Sequence, residues 1–136
     1  MVKLMLPNES NSIKTVIAPS DGAVVHNVLD TQDEPIPEGY ASFLDYWEGE
    51  SGETRPRECQ AIDDHLTKDG SSAKTTDIVG AHVRIDGEYC PDDYAWIVPL
   101  CKQCNDADNT SCIFMPEGTV FIPVKMSKKH KTAGSD

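Results

Sequence analysis

Three features of this sequence predict a small α+β fold. Residues 77–85 (DIVGAHVRI) and 94–100 (YAWIVPL) are two β-rich runs separated by a Gly-, Pro- and Asp-containing stretch, the pattern of a hairpin with a long tip. Directly behind them, Cys101 and Cys104 stand at the spacing C-x-x-C in a knuckle that opens a short helix. Upstream, Tyr40, Phe43, Leu44 and Trp47 fall at i, i+3, i+4 and i+7, one face of an amphipathic helix, with Asp45 and Glu48 turned away. The 136 residues suffice for one domain with its own core. They divide into a β-rich N-terminal extension (1–39), a core region (40–126) and a basic tail (127–136) expected to be disordered.

In chain order, SIKTVIAPSDGAVVHNVLD reads as two short strands, near 13–18 and 23–29, joined by a turn at PSDG. The acidic, proline-punctuated stretch 30–39 is a loop that leads into the aromatic-striped helix at 40–48, whose stripe is assigned to packing. Residues 59–76 are polar and turn-rich and read as an inserted loop. After the hairpin and knuckle, CIFMPEGTVFIPVKM closes the domain as a second hairpin turned at PEG.

The formal net charge is −11, and it is unevenly spread. Residues 125–136 carry Lys125, Lys128, Lys129 and Lys131, so everything before them is strongly acidic. A surface that tracks phosphates needs clustered Lys and Arg, which disfavours nucleic-acid binding by the body and points to a partner with a basic surface. No run approaches the roughly 20 apolar residues of a membrane span, and the N-terminus lacks a secretory apolar core. A soluble, cytoplasmic protein is expected. Five cysteines are an odd number, so they are read as thiols or metal ligands and not as a disulfide framework.

Zinc takes four tetrahedral Cys or His ligands, and a C-x-x-C turn brings two sulfurs to one ion. Cys101 and Cys104 supply that half. The other half is sought among Cys59, His65, His82, Cys90 and Cys112. Cys59 and His65, on a short turn upstream of the hairpin, are preferred, giving the set Cys59, His65, Cys101 and Cys104, with Cys90 and Cys112 as alternates.

The segments GAHVRI and WIVPLCKQCN, with the FLDYWEGESG helix before them, resemble the ββα-metal core of HNH endonucleases, a treble-clef scaffold. The likeness spans about 43–125 and implies a zinc-bound HNH-like core of small bacterial or phage type. In such nucleases a histidine polarises the attacking water while an adjacent acid and a later His or Asn hold the divalent ion. The resemblance therefore gives His82 the place of general base and Asn105 a place near a catalytic Mg²⁺ or Mn²⁺, with Asp106 or Asp108 as further oxygen donors. Ala81 stands where the acid ligand belongs, and the orienting Asn falls at Ala95–Trp96. The expectation is a zinc-stabilised, degenerate, non-catalytic binding protein, in one form an inhibitor that competes for a basic channel of a nucleic-acid enzyme. A metal-dependent nuclease and a structural or assembly protein are the alternatives.

Overall fold

The computed structural model describes residues 13–62, 77–105 and 112–133. Six strands and one helix follow in the order β1 (Val16–Ile17), β2 (Ala23–Asn27), α1 (Phe43–Ser51), β3 (Ile78–Ile85), β4 (Tyr94–Cys101), β5 (Ile113–Met115) and β6 (Val120–Lys125). All strand pairs are antiparallel, and the sheet order is β1-β6-β4-β3-β2-β5.

Connection lengths explain why this sheet curls into a half-barrel. β5 forms one edge, while β6 lies next to the opposite edge, and only residues 116–119 join them. A flat sheet would hold those strands several 4.8 Å spacings apart, so the two ends must bend toward each other. The β1–β2 turn imposes the same bend, because β1 pairs with β6 and β2 with β3 and β5. Gly22 in that turn has φ 79, and a Cβ there would sit 2.5 Å from the Met115 carbonyl oxygen. Only glycine fits both demands.

Both faces of the sheet are buried. The inner face gathers Val25, Val83, Trp96, Val98, Ile113 and Phe121. Alternation along the strands puts Ala95, Ile97, Ile122 and Val124 on the outer face, where Trp47 and Phe43 of α1 cover them. Burial on two faces is why β4 reads as an unbroken apolar run. Helix α1 starts at Ser42, whose side chain accepts from the Asp45 N–H at 3.0 Å, and stops at Gly52 in the left-handed region. The helix approaches β3 so closely that a Cβ on Gly80 would lie 2.6 Å from the Leu44 nitrogen.

This architecture corrects the predicted fold class. The zinc-bound treble-clef core, a hairpin followed by a short helix, is not what the chain builds. The β3–β4 hairpin forms, but β2 and β6 extend it on either side. The helix packed on it precedes it in the chain. Residues 102–105 form turns, and the helix expected after the knuckle falls on 106–111, outside the described residues. The closing hairpin at PEG is replaced by two strands bound for different ends of the sheet.

The segments placed outside the core region also join the sheet. The 13–39 stretch contributes β1 and β2, and the Trp96 indole donates to the Lys14 carbonyl at 2.8 Å. Residues 127–133, expected to be disordered, run back along the sheet. Thr132 bridges to Val28, the Leu29 N–H donates to the Lys131 carbonyl, and the Ala133 N–H donates to the Asn27 carbonyl.

Candidate metal centre

Cys101 is the last residue of β4, held in register opposite Ile78. Beyond it the chain turns sharply. The Lys102 N–H donates to the Asp77 carbonyl at 2.9 Å, and the Asn105 N–H returns to the Cys101 carbonyl at 3.1 Å. Buried Asn27 on β2 fixes the turn by donating Nδ2–H to the Cys104 carbonyl at 2.7 Å. Cys59 arrives from the other direction, on the segment that leaves α1. That segment is anchored early, where Arg55 pairs with Asp45 and Glu48 of the helix, and late, where the Ile62 N–H donates to the Phe114 carbonyl of β5 at 2.8 Å.

These constraints bring the sulfurs of Cys59, Cys101 and Cys104 within 4.8 Å of one another. The Cys59 and Cys104 sulfurs are 3.8 Å apart, far beyond a disulfide bond of about 2.05 Å. A tetrahedral zinc with bonds of about 2.3 Å sets an S···S edge of about 3.8 Å. Burial decreases across the group, with Cys101 fully buried, Cys104 nearly so and Cys59 partly exposed. Contact with the Cys59 thiol, then burial, raises the Cys104 thiol well above the ordinary range. Burial likewise raises Cys101, and the Cys104 N–H that points at its sulfur opposes the rise. Three thiols crowded in a low-dielectric niche resist ionising, whereas a bound cation reverses that preference and takes the thiolates as ligands.

No family model, characterised protein or solved structure matches the chain. The site must therefore be read from its own geometry.

Of the four zinc ligands expected from sequence, three stand together and His65 lies outside the described residues. The alternates do not join the group. Cys90 sits at the tip of the β3–β4 hairpin, where its sulfur contacts the Tyr94 carbonyl at 3.1 Å, and Cys112 precedes β5. Asn105 belongs to the knuckle turn and lines a cavity of about 360 Å³ with Asn27 and residues 28–32. Asp106 and Asp108 lie outside the described residues.

His82 occupies the opposite face of the sheet from the thiols. Its β3 neighbours Ala81 and Val83 point inward, while its own ring packs edge-on against Phe43 of α1 at 4.3 Å. It is 5% exposed, and burial pushes its pKa down to about 4, so the ring is neutral at pH 7. A histidine sealed beneath a helix, with the knuckle across the sheet, lacks the access to water and metal that the resemblance assigns to a general base.

Sequence reasoning missed a buried polar cluster on this helix-covered side. His130 donates toward the Leu29 carbonyl through Nδ1 and meets Glu34 through Nε2, at 2.8 and 2.7 Å. Glu34 also accepts from the Ser127 amide and hydroxyl. Burial pushes the Glu34 carboxyl up, but the Ser127 amide, the His130 ring and the Ser127 hydroxyl outweigh it, leaving a net lowering. Glu34 sits in an acidic loop and His130 in a lysine-rich tail, so no local pattern marks either as buried.

Proposed function

We propose that this protein is a zinc-clamped acidic binding module that engages a basic surface on a partner protein. The observation that carries the metal half is the thiol geometry, in which one sulfur pair already spans the edge of a zinc tetrahedron beside a third sulfur. An all-thiol set favours zinc over magnesium or calcium, which prefer oxygen. The ion would join the end of β4 to the segment leaving α1, two stretches more than 40 residues apart in sequence. His65 is the fourth ligand this reading nominates. The charge of −11 supports the partner half, because long-range attraction speeds encounter with a basic surface. No described helix is long and apolar enough to cross a membrane.

The test is metal analysis of the purified protein, followed by melting with and without a strong chelator. Equimolar zinc is expected, with a large fall in melting temperature on chelation, since a structural zinc contributes on the order of 10 kcal/mol. Cys59→Ser, Cys104→Ser and His65→Ala should each lower zinc occupancy, and Cys90→Ser should not. Metal-free protein whose melting curve ignores the chelator would refute the clamp.

A further inference from the structure

Beside the Cys59 segment the sheet carries a gap. The β4–β6 ladder runs from Tyr94↔Lys125 to Ile97↔Ile122 and stops. Two residues farther along β4 stands Pro99, which has no N–H to offer, and the Val120 carbonyl accepts instead from the Trp47 indole at 2.7 Å. A groove of about 310 Å³ opens there, between residues 53–60 and the β5–β6 turn. Trp47, Pro56, Pro99 and Pro116 contribute its apolar lining.

The charged residues lining this groove are Glu53 and Glu117, one from each flanking segment. Both are exposed, and neither forms an ion pair among the described residues. Asp45 and Glu48 on the nearby helix differ, because both pair with Arg55. A groove that combines apolar walls with two unpaired carboxylates is complementary to a side chain that joins a long aliphatic stem to a cationic tip. Its volume lies at the small end of ligand pockets, enough for a side chain and flanking backbone but not for a folded element.

We infer that this groove receives a lysine or arginine side chain from an extended stretch of a partner protein, an assignment that rests on the binding-module reading above. The metal site and the groove draw on one segment, since Gln60 lines the groove and its chain neighbour Cys59 is a thiol of the cluster. Zinc loading therefore tightens binding by fixing that segment.

The experiment is an NMR titration of ¹⁵N-labelled full-length protein with a capped Ala-Arg-Ala-Lys-Ala peptide, with zinc content measured on the same sample. Saturable shifts are expected at the Thr54, Gln60, Gly118 and Thr119 amides, and none with Ala-Glu-Ala-Glu-Ala. The double variant Glu53→Gln/Glu117→Gln should weaken binding about fivefold, the scale of losing two exposed ion pairs. Glu38→Gln/Glu88→Gln removes the same charge from exposed sites outside the groove and should leave the affinity unchanged. Equal weakening by the two double variants, or shifts scattered away from the groove, would overturn the assignment. Absence of groove shifts in a zinc-loaded sample removes the groove and leaves the clamp standing. Groove binding by a sample that never holds zinc does the reverse.

Discussion

Replacing His82 with leucine should flatten the acid limb of the stability profile. The folded state holds this imidazole at a pKa of about 4 against an ordinary 6.5, chiefly because burial excludes the charged form. Among the groups facing it, Glu34 favours the charged ring and His130 opposes it, while Phe43 supplies an apolar wall. Because the folded-state value is depressed, the unfolded chain takes up a proton below pH 6.5 that the native ring refuses. Stability is thus full above 6.5 and drains as the pH falls toward 4. At about 1.36 kcal/mol per pH unit the complete loss is about 3 kcal/mol, of which about 2 kcal/mol is gone by pH 5. Urea unfolding of wild type and His82→Leu at pH 7.5 and 5.0, in one buffer of fixed zinc content, measures this, since other titrating groups, the thiols included, are common to both proteins. Wild type should lose about 2 kcal/mol more than the variant over that interval. An identical acid response in the two proteins would refute the buried, neutral histidine and reopen an accessible role for it.

Two further substitutions probe the packing on the same face. Gly80→Ala places a methyl 2.6 Å from the α1 backbone at Phe43 and Leu44, so the helix must shift, and a loss of about 1–3 kcal/mol in chemical denaturation is expected. His130→Ala strips Glu34 of its ring partner in a site where the two side chains are 2% and 3% exposed, and should cost about 3 kcal/mol. Hydrogen exchange at Leu29 and Ala133, whose amides donate to the tail and to β2 respectively, should rise with it.

Much of the element inventory was legible in the sequence, because each element announces itself over a short window. The aromatic stripe located α1 within about one turn, and the alternation around Ala81 and Val83 located β3. Strand partners were not legible. PEG and PSDG mark turns correctly, yet neither says whether the strands beside it pair, and here both turns carry the chain across the mouth of a curled sheet. The resemblance at GAHVRI and WIVPLCKQCN is a likeness of strand and knuckle, features that the central hairpin of a half-barrel supplies as readily as a ββα core. The thiol group was nominated from spacing alone at Cys101 and Cys104, and Cys59 was found because a tetrahedral ion needs ligands from a second segment. The Glu34–His130 pair had no such signal, since its meaning appears only once the tail folds back.

The position of the thiols explains why a clamp is useful in this fold. β5 has three residues and stands at the sheet edge, a place where unpaired backbone groups recruit foreign strands. The segment carrying Cys59 covers that edge through the bond from the Ile62 N–H to the Phe114 carbonyl, yet Ile62 and Phe114 are themselves exposed apolar residues. The covering segment is held there by the partial burial of Cys59 and Ala61 against the inner core and by that one backbone bond, which contributes only about 1 kcal/mol. Ligation of Cys59 to the buried Cys101 and Cys104 would tie the segment to the best-packed strand of the sheet, protecting the edge and fixing the acidic groove beside it. Stability and binding would then depend on the same ion, so a variant that keeps the fold by other means could lose the groove's affinity without unfolding.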